Sequence, residues 1–440
     1  MRLPFKLVPV LLVFVLISCN SGNKDYKIKS ENPALVHDAS KFLTSIVVYD
    51  IFKPPVASRI YAYSYLAAYE ALRYQYPQYP ELAGKLNGFK GVSQPKTGIV
   101  YDFPLVSMKA FFTVGKKITF SPEIWDNYEK TYFDRFQSLN MPTEVYKASM
   151  DLGNQIGQDI LAYAKTDQYA QTRGIGYTLK RSPGSWEPTP PGYADACEPL
   201  WNTLRSFTLK SPSQFFPAQP TPYSLDTHSA FYKMTQEVYS ISKNLSQEQK
   251  EIAYFWDDNA FVSQVKGHFM VAEKKMTPPG HWIAITQTLC KDKKLDMMAS
   301  LQAYCYASIA MYDGFMGSWD VKYTTSRVRP ITVIRKTMDP NWFSFLENPG
   351  FPEYDSGHSC ISAASGTILA HIFGDQTAFT DSTEFPYHHG VRSFKSISDA
   401  YKQVSASRVY GGIHFQESVD QGMIQGQNTG EWVWNRIMKK

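Results

Sequence analysis

Three short stretches in the last third of the chain constrain its fold more than any other feature. They read KYTTSRVRP at 322–330, PEYDSGH at 352–358 and SRVYGGIH at 407–414. The residues of interest within them are Lys322, Arg329, Ser356, Gly357, His358, Arg408 and His414. Cationic side chains, a hydroxyl, a glycine amide and imidazoles are groups that bind a tetrahedral oxyanion. We therefore ask which fold could bring these segments to one point.

Apolar side chains recur at three- and four-residue spacing over most of the chain, which is typical of helices. The clearest case is 298–319, where apolar and aromatic side chains share one face and the helix leads to Lys322. Other segments with this spacing are 34–53, 57–76, 122–137, 142–166, 246–270, 359–373 and 397–408. No internal repeat and no strand-rich region stands out, so the sequence predicts an all-α fold, a large helical bundle.

The helical pattern stops between 177 and 226, where the chain is dense in Pro, Gly and Ser. A loop of this length in a compact protein is usually functional or wraps a surface. We expect wrapping, because Trp186, Trp201, Phe215 and Phe216 favour burial. The predicted divisions are an N-terminal helical half at 34–176, the Pro/Gly-rich wrapping loop at 177–226, and a C-terminal helical half at 227–440 that carries the site.

The first residues have the order of an export signal. Two basic residues precede an apolar run at 7–17 that is too short to span a bilayer. Cys19 follows in a context that resembles a bacterial lipobox, in which the cysteine is lipidated. We therefore expect a lipoprotein signal peptide at 1–18, a polar tether at 19–33, and an exported protein of the periplasm or cell envelope, anchored in a membrane through Cys19. An ordinary signal peptide with an incidental cysteine is the alternative.

Composition excludes some classes of partner and site. The 440 residues carry a formal net charge of +5 with no basic tract, so no nucleic acid partner is expected. The other four cysteines, Cys197, Cys290, Cys305 and Cys360, have spacings that form no disulfide framework. The chain has no C-x-x-C and no H-E-x-x-H, so the sequence predicts no zinc site.

Physical arguments favour an anion site at the three stretches. Residues 356–358 open the helix predicted at 359–373, where unpaired N–H groups and the helix dipole favour an anion. Arg408 falls on the apolar stripe of 397–408, and a buried guanidinium needs a carboxylate or an oxyanion to offset its desolvation. Each stretch alone has a simpler explanation as a helix cap, a lysine reaching solvent or a core histidine. Their joint occurrence favours a site.

The pattern K-x6-R-P, then S-G-H, then S-R-x5-H resembles the signature of vanadium-dependent haloperoxidases and type 2 phosphatidic acid phosphatases. The matching part is 322–414. It is more similar to the haloperoxidases, because its middle block reads P-x-Y-x-S-G-H and no run after residue 17 could cross a membrane. Trp319-Asp320 and the tract YGGIHF at 410–415 look most like bacterial vanadium-dependent iodoperoxidases. The resemblance implies the helical bundle of that family.

The resemblance also implies a vanadate cofactor, with hydrogen peroxide and a halide as substrates and hypohalous acid as product. His414 would be the vanadium ligand. Lys322, Arg329 and Arg408 would neutralise the vanadate oxygens, and Ser356 and the Gly357 N–H would donate hydrogen bonds to them. His358 would act as general acid–base. The residues implied to take part are thus Lys322, Arg329, Ser356, Gly357, His358, Arg408 and His414.

The sequence also bears on which halide is oxidised. Ser359 follows His358, where some bromide-oxidising relatives have a further histidine, and iodide gives up electrons most easily. We therefore expect iodide ahead of bromide, with chloride the least expected. By family position, the candidates for the halide cavity are Trp319, Asp320, Tyr354 and Phe351; core packing is the simpler explanation for Phe351.

One position departs from the phosphatase pattern. Ser418 stands where many phosphatase relatives have an aspartate that orients the last histidine, so Asp420, Glu417 or a backbone carbonyl would have to orient His414. The main alternative is a soluble periplasmic acid phosphatase of the same superfamily, with His414 as the nucleophile. A further alternative is a surface lipoprotein that binds carbohydrate or a partner through Tyr and Trp side chains and has a vestigial site.

Overall fold

The computed structural model describes residues 25–259, 261–266, 269–385 and 390–439. The predicted signal peptide, with Cys19 and the first residues of the tether, lies outside this part of the chain. Helices dominate the described residues, which confirms the all-α prediction. Of the described helices, none is both long enough and apolar enough to pass through a lipid bilayer.

The helices differ widely in length, and the strands are short. The helices are α1 (Asp25–Ser30), α2 (Ala34–Tyr49), α3 (Pro54–Arg73), α4 (Phe103–Ile118), α5 (Pro122–Gln137), α6 (Thr143–Ala164), α7 (Ala230–Lys243), α8 (Gln247–Phe255), α9 (Pro278–Asp292), α10 (Met297–Thr325), α11 (Pro330–Thr337), α12 (Gly357–Phe373), α13 (Ile397–Tyr410) and α14 (Gln416–Met438). The strands are β1 (Phe261–Lys266), β2 (Phe269–Lys274), β3 (Phe379–Asp381) and β4 (Arg392–Phe394), and they form two separate antiparallel pairs.

Helix α10 is the centre of the bundle. The side chain of Asp296 caps its first turn by accepting a 2.7 Å hydrogen bond from the Ala299 N–H. The sequence predicts one buried face, but nearly all side chains from Met297 to Tyr323 are buried, since α3, α9, α12 and α14 surround the helix. One hydrophobic core therefore contains side chains from both halves of the chain.

A line of glycines lets α14 pack closely on α12. Gly422, Gly426 and Gly430 recur every four residues on the α14 face that contacts α12. A Cβ atom would lie 2.6 Å from the Ser356 carbonyl oxygen at Gly422 and 2.7 Å from that of Ala364 at Gly430, so no larger residue fits at this separation. Because α14 begins two residues after His414, this packing also fixes His414 relative to the start of α12.

The prediction of a helix at 246–270 is wrong after Phe255. Helix α8 ends there, and β1 and β2 form a hairpin with Lys266 opposite Phe269. Three short polar residues, Asp257, Asp258 and Asn259, follow the helix, and such side chains compete with helical hydrogen bonding. The strand sequences FVSQVK and FMVAEK contain valines, which favour strands.

The segment 177–226 contains two 3-10 helices, Trp201–Thr203 and Pro212–Phe215, and no α-helix. Trp186 and Trp201 are each 1% exposed, as predicted, whereas Phe215 and the following Phe216 are only partly buried. The Trp186 N–H donates a 2.6 Å hydrogen bond to the Ser326 carbonyl oxygen, so the segment packs against the end of α10.

Candidate active site

The three stretches lie together at one end of the central helices. Lys322 is in the last turn of α10, and Arg329 precedes α11, whose Pro330 occupies the first helical position. Ser356 is the N-cap of α12, Arg408 is in the last turn of α13, and His414 lies in the turn between α13 and α14. Arg329 Nη1 is 3.3 Å from His414 Nε2, which links the first stretch directly to the third.

The Lys322 ammonium group is completely buried and is held by carbonyl oxygens of the second stretch. Its Nζ atom donates to the carbonyls of Pro352 (3.1 Å), Glu353 (3.2 Å) and Asp355. Burial, with the charge of Arg329 nearby, lowers the pKa of Lys322 to about 7, although Asp355 opposes this shift. An anion next to this ammonium group would favour its charged form.

Both guanidinium groups are also buried among carbonyl oxygens. Arg329 donates to Phe351 O at 3.0 and 3.1 Å and to Ile413 O at 2.8 Å, and Arg408 donates to the Trp256 carbonyl oxygen. In the described part of the chain, Arg329, Arg408 and the Lys322 ammonium form no ion pair with a carboxylate. We call these three side chains, with Ser356, Gly357, His358 and His414, the cationic cup. Three buried positive charges without a paired anion are costly unless an anion binds there.

His414 is oriented by Glu353. The His414 Nδ1 atom lies 2.9 Å from Glu353 Oε1, which also accepts a hydrogen bond from the Phe415 N–H at 3.0 Å. Ser418 Oγ donates to Glu353 Oε2 at 2.8 Å, and the Arg327 guanidinium lies 3.6 Å from the same atom. Burial alone would raise the pKa of Glu353, but the His414 hydrogen bond and the charge of Arg327 lower it to about 2.

The protonation of His414 follows from these contacts. Burial and the charge of Arg329 lower the pKa of His414 to about 3, so its imidazole is neutral at physiological pH. Because Glu353 is ionised, we assign the single ring proton to Nδ1, from which it is donated to the carboxylate. The Nε2 lone pair then faces Arg329 Nη1 at 3.3 Å, and Nε2 is the ring atom that can bind a metal centre.

The expectation that Asp420, Glu417 or a backbone carbonyl orients His414 is wrong. Asp420 accepts a hydrogen bond from Gln416, and Glu417 pairs with Arg327 at 2.7 Å. Glu353, inside the second stretch, has this role. Its signal in the sequence was its acidic side chain within the second stretch, but Asp355 in the same stretch is acidic too, and only the fold shows that Glu353 reaches His414.

Ser356 and Gly357 present hydrogen-bond donors at the start of α12. The Ser356 hydroxyl accepts hydrogen bonds from the Ser359 N–H (3.3 Å) and the Ser359 hydroxyl (2.8 Å), so its own O–H is left to donate to a ligand. A Cβ atom at Gly357 would lie 3.1 Å from the Trp319 ring and 3.5 Å from Lys322 Cε. Glycine therefore allows this helix start to lie against the end of α10.

Within the cup, His358 has a ring nitrogen without a partner among the described residues. Its Nε2 atom is buried and has no hydrogen-bond partner among the described residues. Burial, followed by the charges of Arg408, His414, Lys322 and Arg329, lowers the pKa of His358 well below its ordinary value. An anion bound in the cup would counter these charges and provide a partner for Nε2.

A cavity of about 600 Å³ leads to the cup. Its wall includes Phe351, His358, Arg408, Ile413, Asp257 and Asp258, together with parts of the segments 192–197 and 347–350. The sequence reasoning missed the two aspartates and the 192–197 segment, which are distant in the chain from the three stretches.

Among the halide candidates, only Phe351 lines this cavity. Its ring also packs on the two cations, 5.0 Å from Lys322 Nζ and 5.1 Å from the Arg329 guanidinium carbon. Trp319 is buried and donates from Nε1 to Cys197 O at 3.0 Å, and Asp320 accepts from Asn202 at 2.9 Å. The Tyr354 hydroxyl donates to Ala218 O. Trp319, Asp320 and Tyr354 therefore lie outside the wall of this cavity, whereas Phe351, for which core packing was the simpler explanation, lies in it.

The donor set fits vanadate. Three cations, the Ser356 hydroxyl and the Gly357 N–H suit the oxygens of a tetrahedral anion, and the His414 Nε2 lone pair suits its vanadium atom. The unpartnered Nε2 of His358 supplies a further group for an oxygen. A helical bundle with such a cup defines a class of proteins that bind a tetrahedral oxyanion between helices.

Comparison with solved structures identifies the family within this class. The chain is similar to a bacterial vanadium-dependent iodoperoxidase, with 37% sequence identity, a TM-score of 0.86, and coverage of 92% of this chain and 96% of that one. The chain therefore belongs to the vanadium-dependent haloperoxidase family. The family's cofactor is vanadate, and its substrates are hydrogen peroxide and a halide.

Other comparisons agree on the fold. The holo form of a bacterial vanadium-dependent chloroperoxidase has 18% identity and a TM-score of 0.67, over 88% of this chain and 92% of that one. The apo form of such an enzyme has 17% identity and a TM-score of 0.63, over 88% and 95%. The family model for the VCPO second helical-bundle domain matches residues 302–440, which contain all three stretches. A sequence search among curated proteins finds no significant match.

Proposed function

We propose that this protein oxidises iodide with hydrogen peroxide at a vanadate held in the cationic cup, and releases hypoiodous acid. The observation that carries the proposal is the set of three buried cations that form no ion pair with a carboxylate of the described chain, next to a histidine with an unpartnered ring nitrogen. A site of this kind is stable when an oxyanion occupies it. The cavity beside His358 gives small substrates access to it.

The side chains of the cup have different roles in binding vanadate. When bound, vanadate supplies the Lewis acid that makes peroxide electrophilic toward a halide. Lys322, Arg329 and Arg408 neutralise negative charge, and Ser356 donates a hydrogen bond. His414 offers Nε2 as the ligand while Glu353 holds its other nitrogen.

His358 serves as the proton acceptor and donor. Without an anion, the cationic surroundings keep the pKa of His358 well below its ordinary value. Negative charge in the cup offsets those cations and raises this pKa toward the range useful for general acid–base catalysis. The free Nε2 atom is then suited to take a proton from hydrogen peroxide and return one to the departing oxygen.

One feature of the cavity favours iodide. Phe351 in the wall reduces the polarity near the cup. Iodide, the largest halide, loses the least hydration energy on entering such a cavity. The Ser359 hydroxyl is bonded to Ser356, so it offers no additional donor that would assist a harder halide. The 37% identity to a bacterial iodoperoxidase supports the same choice.

Phosphate ester hydrolysis is the second candidate. Glu353 provides the carboxylate that a nucleophilic His414 would need, so Ser418 at the position of the phosphatase aspartate is compatible with a phosphatase. The same cup would hold a phosphoryl group, since phosphate and vanadate are both tetrahedral oxyanions.

A direct comparison of both reactions tests the proposal. The full chain is stripped with chelator at low pH, reloaded with orthovanadate, and assayed with peroxide and iodide, bromide or chloride, in parallel with a generic phosphate ester. We expect vanadate-dependent turnover that is fastest with iodide and absent with chloride. Ester hydrolysis that vanadate inhibits, without halide oxidation, would establish the phosphatase instead. Faster turnover of bromide than of iodide would overturn the halide assignment alone.

A further inference from the structure

A second buried cluster of ionisable side chains, which we call the acidic cluster, lies behind the cavity wall. It consists of Asp258 after α8, His281 in the first turn of α9, Asp381 at the end of β3, and Glu384 three residues later. Each is at most 3% exposed. His281 Nδ1 lies 2.9 Å from Asp258 Oδ1 and 3.7 Å from Glu384 Oε1, while Nε2 lies 2.9 Å from Asp381 Oδ2.

The cluster contains more carboxyl groups than its nearest cations could balance if all were ionised. Three carboxyl groups face a single imidazole, and the nearby Lys275 ammonium is already paired with Asp257 at 3.2 Å. Glu384 Oε1 is buried and has no hydrogen-bond partner in the described residues, yet it is directed at His281. An unpartnered carboxylate oxygen inside a protein needs a proton or a cation.

The positions of the atoms suit a metal ion. One ligand atom from each of Asp258, His281 and Glu384 lies within 4.8 Å of the other two. Ligand bonds of about 2.0–2.2 Å place neighbouring ligand atoms about 3.0–3.5 Å apart, so small side-chain shifts would complete the site. The Trp256 ring stacks on the imidazole with centroids 4.5 Å apart and shields it from water.

We infer that Asp258, His281 and Glu384 bind one divalent first-row transition ion, with Zn²⁺ or Mn²⁺ as probes, and that Asp381 orients the imidazole. In the metal-free protein, His281 must carry both ring protons to donate to carboxylates on each side. Metal binding replaces the Nδ1 proton, which leaves to solvent, while Nε2–H continues to donate to Asp381. The three ligands are far apart in the sequence, so a search for local zinc motifs could not find them.

The inference extends beyond the proposed peroxidase function and uses none of its residues as ligands. The acidic cluster and the cationic cup are nevertheless connected. Asp258 lines the active-site cavity, and the carbonyl oxygen of Trp256, two residues earlier, accepts a hydrogen bond from Arg408. A bound ion would hold this part of the wall in place.

Metal binding to the vanadate-loaded full chain tests the inference. The protein is depleted of metals, reloaded with vanadate so that the cup is occupied, equilibrated with Zn²⁺ or Mn²⁺, and analysed for bound metal. We expect one equivalent in the wild type, at least about tenfold weaker binding in Glu384→Gln, and about 10–100-fold weaker binding in Asp381→Asn. The control Glu431→Gln changes a carboxylate that pairs with the surface residue His371 at 3.0 Å, and it should bind like the wild type.

Folding and site identity are checked separately. Circular dichroism and vanadate content should be unchanged in Glu384→Gln, which shows that the variant is folded. Proton release on metal addition should accompany binding in the wild type and disappear with it. A wild-type protein that retains neither ion, or a Glu384→Gln variant that binds as tightly as the wild type, would overturn the inference without affecting the proposed peroxidase.

Discussion

Two of the buried histidines, His414 and His281, are each held by a carboxylate but have opposite surroundings. Each has one ring nitrogen 2.9 Å from a carboxylate oxygen, of Glu353 for His414 and of Asp381 for His281. The second nitrogen of His414 faces the Arg329 guanidinium, whereas that of His281 faces Asp258 and Glu384. The same side chain is thereby prepared for an oxyanion in one region and for a cation in the other.

The two regions share a short piece of chain. The Trp256 carbonyl oxygen accepts from Arg408 in the cup, and the Trp256 ring stacks on His281 in the acidic cluster. Asp257 and Asp258 therefore stand between opposite electrostatic environments, and both lie in the cavity wall. Because the regions are adjacent, variants in one should be measured for effects on the other.

The largest effect is expected for His414→Ala. Removing the Nε2 ligand should weaken vanadate binding by at least about 100-fold, since the cup then has only electrostatic contacts to the anion. Vanadium content after dialysis measures this loss. The matched control is His371→Ala, which removes a surface histidine bonded to Glu431 and should retain vanadium like the wild type. Equal vanadium content in the two variants would show that His414 is not the ligand.

Glu353→Gln should have the next largest effect. The amide keeps the shape but not the charge that holds the Nδ1 proton, so vanadate affinity should fall by about 10–100-fold. Glu417→Gln is the control, because Glu417 pairs with Arg327 and Thr221 rather than with His414. If both substitutions weakened binding equally, a general loss of negative charge near the cup would explain the result better than orientation of His414.

In the vanadate-free protein, the contribution of Lys322 to the free energy of unfolding should grow as the pH rises from 7 to 9. Burial and Arg329 lower the pKa of Lys322 from 10.5 to about 7, so in this range the unfolded chain holds a proton that the folded chain has lost. The gain should be on the order of 2 kcal/mol. Urea unfolding of the wild type and of Lys322→Met at each pH measures this gain as the difference between the two slopes, because the raised pKa of Glu384, about 8, shifts both slopes in the opposite direction. Vanadate should reduce the slope in the wild type, because the anion favours the charged lysine.

The smallest effect is expected for Asp320→Asn. The Asp320 carboxylate accepts from Asn202 and lies outside the cavity wall, so vanadate affinity and iodide turnover should stay within about twofold of the wild type. Titration with vanadate and steady-state rates are the measurements. A large loss of iodide turnover would show that Asp320 contributes to the halide site. The cavity wall of the vanadate-loaded enzyme would then differ from the wall described here.

Local signals in the sequence predicted much of the fold and the members of the cup. Helical spacing marked α10, and the motifs identified Lys322, Arg329, Arg408 and His414, because the type and spacing of these residues are visible in short windows. The helix predicted through 246–270 failed because the polar residues after Phe255 end α8 and a hairpin follows.

Contacts between distant segments could not be predicted in this way. Glu353 was visible in its motif, but its bond to His414 depends on how α14 packs on α12. The acidic cluster joins Asp258 and His281 to Asp381 and Glu384, which lie 100 or more positions further along the chain, and each of them alone looks like an ordinary polar residue. The halide candidates were chosen by position in the sequence, and the cavity wall depends instead on loops brought in by the fold.

X-ray absorption at the vanadium K-edge of the loaded protein tests the central claim most directly, since it identifies the atoms bound to vanadium. The account predicts one imidazole nitrogen beside oxygen ligands in the wild type, and oxygen alone in His414→Ala loaded at high vanadate concentration. An all-oxygen environment in the wild type, or an imidazole nitrogen that persists in the variant, would contradict it.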